Sequence, residues 1–136
     1  MVIILLASCS EDYLDVNVDP NNPSTVSPDL ILPVAQTYTA NILYGNTTRR
    51  LNDLANLMMY NWSQSDGFSW YTDEFKYNVT SSFYQGIFND TYNSALKQYQ
   101  ILEGLAPEYD YYKAISKIMK CYHFQTLVDL YGDIPY

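Results

Sequence analysis

The stretch YDYYKAISKIMKCYHFQTLVDLYGDIPY, Tyr109 to Tyr136, decides the fold. Ala114, Ile118, Cys121, Phe124, Val128 and Tyr131 recur at intervals of three and four, the period of a helix with one apolar face, and predict a helix from about Tyr109 to Leu130. Gly132 ends it, because glycine takes the left-handed backbone that closes a helix without steric cost.

The same period continues upstream. Tyr84, Phe88, Tyr92, Ala95, Tyr99 and Leu102 fall on one face of a helix from roughly Ser82 to Glu103, which Gly104 and Pro107 terminate. Leu51, Leu54, Ala55, Met58 and Trp62 mark a shorter helix from about Leu51 to Trp62. Ser27-Pro28-Asp29 supplies a cap, a first-turn proline and an acid at the positive dipole end, and Ile31, Val34, Ala35, Tyr38 and Ile42 follow at helical spacing as far as Gly45. Pro33 either bends this helix or marks its first turn. The expected class is all-α: two consecutive antiparallel helix pairs, the second resembling a tetratricopeptide unit, joined by long irregular loops. An isolated pair cannot bury seams on two faces, so further helices are expected to stack on it. Ile134 and Tyr136 follow the last helix stop without a polar capping helix, and the chain reads as the N-terminal part of a longer protein.

Residues 63–79, SQSDGFSWYTDEFKYNV, interrupt the helical pattern and read as a long aromatic loop, a length often kept for function. The 136 residues suit one domain, and the formal charge of −8 excludes a nucleic-acid partner, which needs lysine and arginine to neutralise phosphates; the one basic doublet is Arg49-Arg50. Fifteen tyrosines, each with an apolar face and a hydroxyl tip, fit wet and shallow recognition surfaces as well as half-buried helix contacts.

The chemistry of catalysis and metal binding is poorly supplied. Cys9 and Cys121 sit in unrelated settings, so neither a disulfide framework nor a zinc knuckle is expected, and no metal or cofactor is called for. His123, the single histidine, has no sequence neighbour to form a ligand pair or catalytic dyad and is expected to be structural or solvent-facing. Asp15, Asn17 and Asp19 have the spacing of a calcium loop, but Pro20 and Val26 stand where glycine and glutamate are needed. Asp129 and Asp133 are better explained as a surface acid and a turn residue after Gly132 than as a glycosidase pair.

The other end of the chain carries an address. Val2 to Ala7 are too few to cross a bilayer, which takes about 20 apolar residues, and have the character of a signal-peptide core. Leu6-Ala7-Ser8-Cys9 matches a lipobox, with Cys9 as the residue that carries lipid; residues 1–8 are then a truncated leader lacking the usual basic start. Ser10-Glu11-Asp12 is similar to the acidic signal of surface-exposed lipoproteins. Residues 9–28 form an extended arm rich in Asp, Asn and Pro, and residues 29–136 the helical part.

Taken in order, Cys9, the arm DYLDVNVDPNNP (Asp12 to Pro23), SPDLILPVAQ (Ser27 to Gln36) and FQTLVDLYGDIPY (Phe124 to Tyr136) resemble the SusD/RagB-like outer-membrane lipoproteins of Bacteroidetes. The resemblance implies an all-α protein with no enzymatic activity. It also implies anchoring in the outer membrane through acylated Cys9 on the extracellular face, and capture of a glycan or oligosaccharide for a SusC-like TonB-dependent transporter. Capture of peptides, and a tetratricopeptide-like scaffold that binds protein alone, stand as alternatives; a hydrolase fragment is a third.

Sugar recognition needs aromatic faces for the C–H side of the ring and amides or carboxylates for its hydroxyls. Asn61, Trp62, Asp66, Phe68, Trp70 and Tyr71 supply both within eleven positions and are the expected ligand-binding residues. Trp70 and Tyr71 lead because they lie in the loop. Trp62 falls on the apolar stripe of the second helix, where packing competes with ligand contact.

Overall fold

The computed structural model describes residues 26–45, 49–105 and 109–136. Cys9, the acidic triplet after it and most of the arm lie outside the described residues. Within them the chain is all-α, with α1 Pro28–Leu43, α2 Leu51–Met58, α3 Thr72–Phe75, α4 Gln85–Asp90, a π-helical turn Thr91–Leu96, α5 Lys97–Leu105 and α6 Asp110–Tyr131.

Helix α1 begins as its sequence dictates: Ser27 is extended, Pro28 opens the first turn and Asp29 sits at the positive end. The Ser27 hydroxyl bonds to the Asp29 carboxylate rather than to a backbone N–H. The helix continues through Pro33 and closes at Gly45, whose φ of 70° lies in the left-handed region.

The core is a three-way contact. Helix α1 packs on the π turn and on α5, and α5 packs on α6. Ala35 and Ile42 of α1 meet Tyr84, Ile87, Ala95, Tyr99 and Leu102, all buried, and Tyr112 and Met119 of α6 pack against the same cluster. Each large side chain removed from water here contributes about 1.5–3 kcal/mol, which holds the helices together where helix propensity alone would not. Lys120 ties α6 to α5 outside this core, with Nζ 3.0 Å from Glu103 Oε2 and 2.7 Å from Gln100 Oε1. That bond holds the Glu103 carboxyl below the usual carboxylate range.

Several expectations are corrected. The first expected pair does not form as a unit, since α1 packs mainly against the centre of the chain and only lightly on α2. The expected continuous helix from Ser82 instead starts at Gln85 and contains a π turn. The expected loop 63–79 contains the short helix α3. In α6 the stripe read as the seam faces outward: Ala114, Ile118, Cys121, Val128 and Tyr131 are exposed, and Ser116, His123 and Leu127 are buried instead. The inward face of this helix carries a serine and a histidine, so the usual apolar-in pattern is partly inverted.

Candidate functional site

Helix α2 ends four residues before Trp62. Tyr60 takes a left-handed φ of 55°, its N–H bonds Leu57 O at 3.1 Å, and the N–H of Asn61 bonds Asn56 O at 2.8 Å. These two bonds make a Schellman closure with tyrosine in the position glycine normally holds. Helix α3 ends identically: Tyr77 has φ 53°, its N–H bonds Glu74 O at 3.2 Å, and Asn78 N–H bonds Asp73 O at 2.9 Å.

The two closures are locked to each other. The Tyr60 hydroxyl donates to Phe75 O of α3 at 2.7 Å, and the Tyr77 hydroxyl donates to Met58 O of α2 at 2.9 Å. The rings lie 5.9 Å apart, and Tyr60 also meets Phe75 at 5.5 Å. Each tyrosine therefore satisfies a carbonyl that the other helix leaves orphaned at its end. The local cost of a left-handed tyrosine, roughly 1 kcal/mol, is offset by those bonds and ring contacts.

This clasp fixes both ends of the segment that carries the expected ligand-binding residues. Ser65 to Phe68 form a turn, with Gly67 at φ 78° and Phe68 N–H on Ser65 O at 3.2 Å. Asp66 is exposed in that turn. Asn61 is engaged at the end of α2, its amide 3.4 Å from Asn56 Oδ1. Trp62 is 44% exposed and lies past the helix, which corrects its expected place on the α2 stripe. Phe68 and Trp70 are 51% and 56% exposed. Tyr71 differs from these. It is half-buried, with its N–H on Gln64 Oε1 at 3.2 Å, and its phenol is pushed up by burial first and then by Asp53 and Glu74, with Arg49 opposing.

Tyr71 thus leads from the exposed segment to a polar cluster that sequence reading did not find. Glu74 is fully buried, and its Oε1 lies 3.4 Å from Arg49 Nε. Beside Glu74 stands the Tyr84 hydroxyl, raised by burial first and by that carboxylate second, without completing a hydrogen bond to it. Arg50 is ion-paired with Asp90 and gives its backbone N–H to Asp53 Oδ2 at 3.2 Å. Arg49 and Tyr84 line a cavity of about 330 Å³ together with Asp73, Thr80, Ser82 and Gln85. None of the six expected residues lines it. The basic doublet was visible in the sequence, but nothing there signals that Arg49 and Tyr84 take left-handed backbones or that Glu74 is enclosed.

Among the described residues no helix is long and apolar enough to cross a membrane. No group of three or more His, Cys, Asp or Glu among them could hold a metal ion. No curated protein matches the chain, and no solved structure does. One family model matches it, over residues 20–136, and that family is described as starch-binding and associating with the outer membrane. With the match running from the arm through every described helix to Tyr136, the chain belongs to the SusD-like family.

Proposed function

We propose that this protein captures a glycan at the outer membrane without chemically altering it, and delivers it to a SusC-like TonB-dependent transporter. The observation that carries the reading is the exposure of Phe68 and Trp70 on a segment whose two ends are clasped by Tyr60 and Tyr77. Apolar rings held in water by a fixed frame are suited to the C–H faces of sugars, because little chain entropy is left to lose on binding. Membership of a family described as starch-binding supports the same ligand class. Acylated Cys9, outside the described residues, anchors the protein on the extracellular face, and lid motion over the transporter passes the ligand inward. Titration calorimetry with an oligosaccharide panel tests this: Trp70→Ala with Tyr71→Ala weakens binding while the thermal melt persists, and unchanged affinity removes both residues from the site.

A second reading, a scaffold that binds protein, draws on the outward stripe of Tyr111, Ile118 and Val128 along α6. Capture of the transporter by a protein that binds no member of a glycan array would favour it.

A further inference from the structure

Seven side chains of this chain are Lys or Arg, and four of them gather on the face shared by α5 and α6. Lys113, Lys117 and Lys120 recur at i, i+4 and i+7 on α6, and Phe124 continues the same stripe. Lys97 of α5 shares a groove of about 250 Å³ with Lys120, walled by Tyr92, Phe124 and Tyr136. The rings of Phe124 and Tyr136 stand 4.9 Å apart. The lysines act on common ground: Glu103 is held down by its bond to Lys120 and then by the charges of Lys117 and Lys113. Glu103 is engaged by Lys120, and Asp110 sits at the positive end of α6. Lys97, Lys113 and Lys117 have no ion pair among the described residues. A chain of net charge −8 thus carries a cationic stripe that runs into an aromatic groove.

Such a stripe fits an acidic strand with a ring at one end. A flat anionic surface fits poorly, because the groove is concave and the net charge of the whole chain repels it. The chain itself holds a segment of the right chemistry: EDYLDVNVD, Glu11 to Asp19, which lies outside the described residues, has four acids, no base and Tyr13. Only residues 20–25 separate it from Val26. The end at which it joins is also set. Thr39 meets Tyr99 and Ile42 shares a cavity with Ser94, so α1 runs against the central helices. Lys120 meets Gln100 and the Tyr92 hydroxyl donates to Pro135 O, so α6 runs against them too. Helices α1 and α6 therefore begin at the same end, and the segment joins at the end nearer Lys113 than Phe124.

The reach and the order both agree. From Val26 to Asp19 the chain spans at most about 24 Å, and neighbouring helices lie about 8–10 Å apart, so Asp19 can meet Lys113. From Asp19 to Tyr13 it spans at most about 20 Å, while α6 rises about 16 Å from Lys113 to Phe124. Asp15 then falls at Lys117, Tyr13 at the groove, and Glu11 and Asp12 at Lys97. A segment tethered this closely has an effective concentration in the millimolar range, which a free acidic peptide does not match.

We propose that the chain's own acidic segment, Glu11 to Asp19, docks along α6, with Tyr13 in the groove of Tyr92, Phe124 and Tyr136 and its carboxylates on Lys97, Lys113 and Lys117. On the reading that Cys9 carries lipid, docking holds that residue at the groove end of the stripe and fixes which face of the domain meets the bilayer. The docking itself depends neither on lipid nor on glycan capture.

Zero-length carbodiimide coupling of the full chain, read by mass spectrometry, tests it. Lys113 and Lys117 should couple to Asp19 and Asp15, and Lys97 to Glu11 or Asp12, without mixed-isotope products when ordinary and heavy-nitrogen protein are combined. Lys117→Glu should lower the Lys113 coupling to Asp19 about threefold to fivefold, and Asp15→Lys in the same chain should restore it. Tyr13→Ala, which leaves every charge in place, should lower it by about the same factor. A tether that merely sweeps past the lysines would not respond to Tyr13, so unchanged coupling in that variant overturns the proposal. Coupling of the three lysines only to acids outside residues 11–19 also overturns it. Mixed-isotope products give the stripe to a second copy. Absence of coupling to the segment, with binding to phosphatidylglycerol vesicles that Lys117→Glu removes, gives it to an anionic bilayer. Either result overturns the intramolecular docking, and both leave glycan capture to the oligosaccharide titrations.

Discussion

The Oγ1 of Thr39 on α1 lies 2.9 Å from Nε2 of His123 on α6, inside a core that excludes water from both. The same oxygen is 3.0 Å from Ala35 O and 3.0 Å from the Tyr99 hydroxyl. A carbonyl only accepts, so the one threonine proton goes to Ala35 O, and Tyr99 and His123 both donate to the threonine oxygen. Nε2 therefore carries a proton, and burial, which disfavours the imidazolium, keeps the ring neutral. One hydroxyl joins three helices, and that junction makes the single histidine structural.

Burial pulls the His123 pKa down from 6.5 to about 4. The folded protein thus takes up its proton at lower pH than the unfolded chain. Stability from this group is complete above about pH 6.5 and is lost as pH falls toward about 4, by an amount on the order of 3 kcal/mol across the window. Urea melts between pH 7.5 and pH 4 should show that loss, and His123→Gln, which cannot titrate, should flatten it. A profile unaltered by the substitution would place the titration elsewhere.

Replacing Thr39 by valine keeps the volume and removes the shared oxygen. Tyr99 and His123 are then buried without their partner, and a loss of about 2–6 kcal/mol is expected from two groups costing about 1–3 each. Thr39→Ser should lose far less because the hydroxyl is kept. Thermal melts of the pair compare the two directly, and equal losses would show that the methyl group, not the network, is what matters.

The corrected orientation of α6 makes an opposite pair of forecasts. Ile118, 66% exposed, should tolerate alanine within about 0.5 kcal/mol, while the buried Leu127→Ala should cost about 2–5 kcal/mol. Chemical denaturation of both variants settles which face points inward. A large loss at Ile118 with a small one at Leu127 would restore the face read from periodicity.

Removing the hydroxyl of Tyr77 by Tyr77→Phe deletes its bond to Met58 O and should cost about 0.5–1.5 kcal/mol, at the lower end because the site is exposed. The sharper readout is amide exchange. Tyr60→Phe and Tyr77→Phe should each raise exchange rates at the ends of both α2 and α3, because each hydroxyl serves the other helix. Exchange confined to one helix end would dissolve the clasp as a unit.

The long helices were legible because their apolar periodicity is long and α1 and α6 stop at Gly45 and Gly132, whereas Gly104, expected as a stop, lies inside α5. The end of α2 was not, since Tyr60 stands where glycine would have announced it. The outward turn of α6 was hidden for a different reason. Its buried face includes Ser116 and His123, which a pattern of apolar residues cannot select, and its exposed face includes Ile118 and Val128, which it does. Of the candidate site, Phe68 and Trp70 could be read from composition and loop placement. Arg49, Glu74 and Tyr84 could not, because what singles them out is backbone conformation and enclosure, neither of which a residue type encodes.

The clasp also sets how this part of the molecule comes apart. Neither α2 nor α3 has a satisfied end without the other's tyrosine, and both are too short to persist alone in water. The two helices and the segment between them should therefore open and close as one cooperative unit. A single rupture at Tyr60 or Tyr77 would release Trp62, Phe68 and Trp70 together, so affinity at the aromatic surface and local unfolding of this unit are two readings of one equilibrium.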